Sequence, residues 1–162
     1  MKLIPLTQGQ FAIVDDTDFE LLNRRKWTLL TTKSGKYYAH RKQRMGKDSQ
    51  CILMHRFILD APQNKVVDHI DNNGLNNQRN NIRIATHQQN LMNQKKSVPH
   101  SSRYKGVSLY KANGRWTAQL SLNNKTHHLG YFKTEIEAAR AYDVKARECF
   151  GEFANTNTKR VF

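Results

Sequence analysis

The sequence predicts an α+β chain: a compact β–loop–β–α unit, then a small three-stranded antiparallel sheet packed on one helix. Three observations carry that expectation. Short apolar or alternating runs recur on both sides of a polar stretch, Gln94–Ser102, and such runs mark strands. Two capping-box spacings, Thr86 with Gln89 and Thr134 with Glu137, each open a helix directly after a strand. The chain has 162 residues, 38% of them hydrophobic, which suits one ordinary folded unit or two small ones rather than a disordered tail.

Residues 1–60 read as short strands with one helix. Phe11–Val14 is an apolar strand, and Asp15 or Asp16 is placed to cap a helical turn through Phe19, Leu21 and Leu22. Trp27–Thr32 and Lys36–Lys42 suggest a hairpin around Ser34-Gly35, while Ile52–Leu59 fits helix or strand equally well. In residues 66–95, Val66–Ile70 is strand-like, a very polar loop Asp71–Asn77 follows, and Asn81–Ala85 returns as a second strand before the Thr86 helix. Gln94–Ser102, with its central Pro, reads as a linker. Gly106–Lys111, Arg115–Leu122 and Thr126–Tyr131 then alternate as strands between turns at Asn113-Gly114 and Asn123-Asn124. The helix opened by Thr134 should run to about Phe150, stop at Gly151, and pack Ala139, Tyr142, Ala146 and Cys149/Phe150 on the sheet.

Charge narrows the partner. The formal net charge is +14, from 27 Lys and Arg against 13 Asp and Glu. Asn23–Lys47 holds nine basic residues and no acid, and Asn72–Thr134 holds ten and no acid. Solvated helices usually mix signs, so long acid-free stretches point to a polyanion, with nucleic acid first. Cys51 and Cys149 alone support neither a disulfide framework nor a Cys-based structural zinc site, so two reduced, mostly buried thiols in a cytosol-like compartment are expected. No apolar run suits a signal peptide or a membrane span, so neither secretion nor a membrane partner is expected.

The chemistry concentrates in residues 55–93. Asp68-His69 ends a strand, Asn81 lies thirteen positions after Asp68, and Asn90 nine beyond that in the first turn of the Thr86 helix. Hydrolysing a phosphodiester needs a base for water, a hard cation against developing charge, and groups that orient both. His titrates near neutrality and suits the first task. A carboxylate and an amide oxygen suit Mg²⁺, or Mn²⁺ in its place.

Several spaced elements here resemble one family: His55-Arg56, Val67-Asp68-His69-Ile70-Asp71, Asn76-Asn77, Asn80-Asn81-Ile82-Arg83 and Asn90-Leu91-Met92-Asn93. Together they resemble the HNH endonuclease motif, in the His-Asn-Asn form of phage and intron homing endonucleases. The resemblance implies a ββα-metal fold, with His69 as general base, Asn81 orienting it, and Asp68 and Asn90 as ligands of one divalent ion. His55, Arg56 and Arg83 would support the core or touch a phosphate. Asn90 stands where the commoner pattern has His; His87, one turn away, is off the register, and His40, His100, His127 and His128 fall outside the active site.

The C-terminal part carries a second resemblance. Tyr104-Lys105-Gly106-Val107, Gly114-Arg115-Trp116-Thr117-Ala118, His128-Leu129-Gly130-Tyr131-Phe132 and Glu137–Asp143, continued by Gly151 and Asn155, are similar to the plant APETALA/ethylene-response-factor DNA-binding domain. In that family the sheet contacts DNA. By position, Lys105, Ser108, Tyr110, Arg115, Gln119, Ser121, Thr126 and His128 would do so here. Several of these are Arg or Trp in plant members, so the plant target does not transfer. The expected division is residues 1–96 with the nuclease core at 52–95, a linker at 97–102, and a recognition domain at 103–158. The expected function is a site-specific, monomeric homing endonuclease on double-stranded DNA in a bacterial or phage-infected cytoplasm, with no small-molecule substrate. The alternative is a non-catalytic DNA-binding regulator whose nuclease half has decayed.

Overall fold

The computed structural model describes residues 1–46, 48–94, 101–123 and 125–158. Most of the expected linker, with His100, and Asn124 of the expected turn lie outside the described residues. By its contacts the chain divides into two compact units, Met1–Asn90 and Leu91–Phe162.

The first unit is built from short antiparallel pairs and three short helices. Strands β1 (Lys2–Pro5) and β2 (Phe11–Val14) pair around a 3₁₀ turn. Helix α1 (Asp16–Asn23) follows, with Asp15 at its N-cap position. The Asp15 side chain does not cap the helix as the sequence suggests. Its carboxylate instead accepts from Gln78 Nε2 at 3.2 Å and from the Arg79 backbone N–H at 2.8 Å. Strands β3 (Thr28–Thr31), β4 (Tyr37–Met45) and β5 (Asp48–Leu53) form one sheet in that order. Residues 52–59, ambiguous in the sequence, divide between the end of β5 and helix α2 (Met54–Leu59). Cys51 corrects the expectation of buried thiols: it is exposed on β5, its Sγ 3.3 Å from His40 Nδ1. The register of β4 against β5 places it two residues along from the strand position opposite His40, so the two side chains meet diagonally on one face.

Next comes the β–loop–β–α unit: β6 (Val66–His69), β7 (Ile82–Ala85) and helix α3 (His87–Asn93). Strands β6 and β7 pair with Asp68 opposite Arg83 and His69 opposite Ile82. Both halves of the first capping box form: the Gln89 N–H donates to Thr86 Oγ1 at 3.2 Å, and the Thr86 N–H donates to Gln89 Oε1 at 2.8 Å. The core of the unit gathers Ile4, Val14, Leu22, Trp27, Met54 and Ile82 from elements scattered along ninety residues.

The second unit is a sheet of β8 (Val107–Tyr110), β9 (Arg115–Leu122) and β10 (Lys125–Phe132), ordered β10-β9-β8, with helix α4 (Glu135–Phe150) against it. Ala118 and Leu120 of the sheet pack with Ala139, Tyr142, Ala146 and Phe150 of the helix. Thr134 and Glu137 complete the second box, and Gly151 ends the helix. A buried acid then ties the tail down: Asp143 accepts from the N–H groups of Asn157 and Thr158, each at 2.7 Å.

Candidate functional site: a buried histidine pair and an open sheet face

The loop between β6 and β7 is organised by its own side chains. Asp71 Oδ1 accepts from the Asn73 N–H at 2.7 Å, and Asp71 Oδ2 from Asn76 Nδ2 at 2.8 Å. Asn81 closes the structure from the far side. Its Oδ1 accepts from the Asp71 N–H at 3.1 Å, and its Nδ2 donates to Asp71 Oδ1 at 3.0 Å and to the Asn76 carbonyl at 2.8 Å. Asn residues suit this work because their amides bond neighbouring backbone in turns and tolerate a left-handed backbone, as Asn72 does with φ 64°. Burial pushes the Asp71 carboxyl up, but bonds from Asn73, Asn76 and Asn81 outweigh it and hold the group below the usual carboxylate range. The loop is also clipped to β2, with the Ile13 N–H donating to the Leu75 carbonyl and the Asn77 N–H to the Ile13 carbonyl, both at 2.8 Å.

Beneath this loop three rings meet. The His55 and His69 imidazoles lie 4.9 Å apart and perpendicular, and Tyr38 flanks them at 5.5 and 5.9 Å. His55 and His69 are both buried. Burial lowers the His55 imidazole to about 3, helped by His69 and Arg56, and leaves it neutral. Burial also lowers His69, against the opposing pull of Asn77, Asp71 and Asp68, so this ring too favours its neutral form. Asn77 is fully buried, and its Oδ1 lies 3.5 Å from His69 Nε2. Its Nδ2 donates to the Leu75 carbonyl at 3.1 Å, which turns the oxygen toward the ring. A proton on Nε2 would point at that oxygen, the tautomer in which Nδ1 is the basic nitrogen.

Asp68, the residue before His69, is 3% exposed and sits beside Arg83, whose Nε and Nη2 both approach Oδ2 at 2.9 Å. The expected support residues therefore separate by task. Arg83 holds Asp68. Arg56 is a backbone staple, donating to the carbonyls of Lys65, Ala61 and Pro62 at 2.7–2.9 Å. His55 walls His69 from within. None of the three is placed as an open phosphate contact. Asn81, expected to orient the histidine, bonds Asp71 and Asn76 through its side chain, and Asn77 is the amide that faces the ring. Asn90 is partly buried in the first turn of α3, its N–H donating to the Thr86 carbonyl at 3.0 Å.

Among the described residues, no three His, Cys, Asp or Glu side chains group closely enough to hold a metal by themselves. The donors present still fit a hard cation. Asp68 offers a buried carboxylate next to His69 in the chain, and Asn90 in α3 offers an amide oxygen; both are the oxygen donors that Mg²⁺ prefers, with water and phosphate completing its shell.

The HNH endonuclease family profile matches residues 60–92, which span β6, the loop, β7 and most of α3. Over 156 residues the chain is 38% identical to a protein named as an uncharacterized HNH endonuclease, L560, of Acanthamoeba polyphaga mimivirus, covering 93% of this chain and 76% of the viral one. The chain belongs to the HNH endonuclease family. A separate similarity covers about a third of it: 49% identity over 59 residues to APETALA2-like protein 2 of Oryza sativa subsp. indica. Ethylene-responsive transcription factor WRI1 of Arabidopsis thaliana matches at 45% over 58 residues. Those stretches are 13% and 14% of the plant proteins' lengths.

In this HNH family member the second unit presents a distinct surface. Strand alternation and register put Ser108, Tyr110, Arg115, Thr117, Gln119, Ser121, Thr126 and His128 on the sheet face opposite α4. Arg115, Gln119, Ser121, Thr126 and His128 are exposed. Lys105 departs from the expectation. It precedes β8, and its Nζ donates to the carbonyls of Met92 and Gln94, both at 2.7 Å. Burial lowers that ammonium to about 8, and the side chain is spent on backbone rather than offered to a ligand. Tyr131, absent from the expected set, joins the open face and stacks with His128 and Tyr110 at 4.7 and 5.2 Å.

Proposed function

We propose that this chain is a site-specific DNA endonuclease of the homing type that acts as a monomer on double-stranded DNA. The observation that carries the reading is the Asp68-His69 pair at the end of β6. It comprises a neutral, buried imidazole with one nitrogen tied to Asn77, beside a carboxylate placed by Arg83. In this reading His69 Nδ1 takes a proton from the attacking water. The water oxygen bonds to phosphorus, one P–O ester bond breaks, and the departing sugar oxygen takes a proton from solvent water. Asp68 and Asn90 would hold Mg²⁺ or Mn²⁺, which when bound neutralises charge building on the phosphate. Asn81 acts one step back, by fixing the loop that carries Asp71 and Asn77. The second unit supplies sequence preference, an assignment supported by its similarity to plant transcription factors and by its acid-free strands.

Purified full-length protein incubated with supercoiled and linear DNA tests the reading. Nicked or linear product with Mg²⁺ or Mn²⁺, abolished by excess EDTA, is the expected result, and the product form separates one-strand from two-strand cutting. Undiminished cleavage in EDTA would overturn the metal assignment. Tight binding with no cleavage in any divalent ion would return the chain to the DNA-binding regulator reading.

A further inference from the structure

The open face of the β8–β9–β10 sheet has an unusual composition for a surface that reads DNA. Among the described residues of that face, Arg115 is the one full cation, and none of the three strands contains an acid. Lys125 lies opposite Leu122 and so falls on the side that packs toward α4. The middle of the open face is instead aromatic. The β10 register shifts between His128 and Gly130, so the strand bulges there. Without the bulge, residues three apart would point to opposite faces; with it, His128 and Tyr131 lie side by side, rings 4.7 Å apart. Gly130 permits this, with φ at +129°. Tyr110 extends the strip from β8, and the Thr117 hydroxyl, 2.8 Å from His128 Nε2, anchors it from beneath. Tyr110 and Tyr131 keep 44% and 46% of their surface exposed, so an apolar strip stands ready for a partner.

Base edges differ in what they offer such a strip. Guanine is read chiefly by Arg or Lys on O6 and N7, adenine by the amide of Asn or Gln, and thymine by apolar contact with its 5-methyl group. This face holds one Arg at the start of β9, one exposed amide at Gln119, and three adjoining rings. We propose that the open sheet face selects A·T pairs in the DNA major groove, with the Tyr110–Tyr131–His128 strip against thymine methyl groups and Gln119 on adenine. The inference rests on the DNA-binding reading given above and adds its base class. Arg115 supplies at most one guanine contact at the edge of the site.

The test uses the full chain in EDTA, where cutting does not interfere, and a randomised duplex library. Selected sites should carry A·T pairs at the contacted positions. Replacing thymine by deoxyuridine at those positions removes only the methyl groups and leaves the protein untouched. Affinity should then fall about fourfold per methyl. Tyr131→Ala should lose a comparable factor and become insensitive to the deoxyuridine exchange, while Tyr131→Phe keeps both affinity and sensitivity. Selection of G·C-rich sites, or equal affinity of the wild-type chain for thymine and deoxyuridine duplexes, would overturn the proposal with DNA binding intact. If no duplex is bound at any sequence, the DNA-binding reading itself fails, and this inference with it.

Discussion

The two units arrange their polar groups in opposite ways. Around His69 the polar side chains are bonded to one another: Asn77 and Asn81 are buried, and the exposed Asp71 and Asn73 and the half-buried Asn76 are held to them and to the loop by fixed hydrogen bonds. On the sheet of the second unit, Gln119, Ser121, Thr126 and His128 are exposed, and the rigid parts lie underneath. The difference matches what the proposed function asks of each. A proton acceptor works best when its tautomer, orientation and charge state are set in advance, which burial and fixed partners accomplish. A groove-reading face must leave its donors and acceptors open until a base edge arrives. Substitutions in the first region should therefore alter rate and stability, and in the second, affinity.

The sharpest way to break that contrast is a reciprocal pair of variants. His69→Ala removes the proposed base, and cleavage should fall by about 10²–10⁴-fold with affinity for DNA within a few-fold of wild type. Arg115→Ala combined with Gln119→Ala should do the reverse. At about 1–3 kcal/mol per base-edge contact, affinity drops at least tenfold while the rate at saturating DNA is unchanged. Gel-shift titrations and single-turnover cleavage measure both. If His69→Ala still cuts at the wild-type rate, the base lies elsewhere, and His87 at the start of α3 is the next residue to test.

Stability should follow the same division. Arg83 is the guanidinium seen on the buried Asp68 carboxylate, and Arg83→Ala leaves that charge without it. Removing one partner of a buried pair costs about 3–5 kcal/mol. Denaturant titration should show a loss of that size, and a loss under about 1 kcal/mol would mean Asp68 is well solvated. Replacing an exposed residue such as Ser121 should change stability little.

How much of this was legible in the sequence depended on the range of the contacts. The capping boxes at Thr86 and Thr134 and the β8–β10 strands depend on neighbours within a few residues, and the sequence displays them openly. Strand β1 and the β5 partner of β4 escaped notice because neither has a strong period of its own. Asp15 looked like a helix cap, yet its carboxylate serves Gln78 and Arg79, over sixty positions away. Asn77 stands in the sequence as half of the Asn76-Asn77 motif element with no role of its own, and its burial with Oδ1 facing His69 is what gives it one. Lys105 fits the recognition pattern by position but is drawn to two backbone carbonyls by the path of the chain.

Gly74 offers a subtler probe of this hydrogen-bonded loop. A Cβ there would fall 2.3 Å from the Tyr37 carbonyl oxygen and 2.6 Å from the Tyr38 ring, so only glycine lets the loop lie against β4. Gly74→Ala should push the loop from Tyr38, costing about 1–3 kcal/mol of stability and slowing cleavage, since Asn77 and Tyr38 both flank His69. Unchanged thermal unfolding would show that the loop yields without cost.

The smallest effect expected is a pH dependence that belongs to the first unit alone. His55 is buried, its imidazole is lowered from the ordinary 6.5 to about 3, and its Nδ1 has no hydrogen-bond partner among the described residues. In the unfolded chain the ring takes up a proton near pH 6.5, whereas in the folded chain it stays neutral down to about 3. Between those values the unfolded state binds one more proton, so stability falls as pH falls. The slope is about 1.4 kcal/mol per pH unit for this one group. Above 6.5 the ring is neutral in both states, and the slope from it vanishes. Metal-free protein unfolded in denaturant at pH 7 and at pH 5 should therefore differ by about 2 kcal/mol from His55, on top of other groups. His55→Gln removes the titrating ring but keeps a polar side chain of similar reach. The variant should be less stable at pH 7 yet lose less on going to pH 5. If wild type and variant lose equal stability over that interval, His55 is reached by water and protonates in the folded protein, and the dry histidine pair that distinguishes this unit from the open sheet is not as closed as its geometry implies.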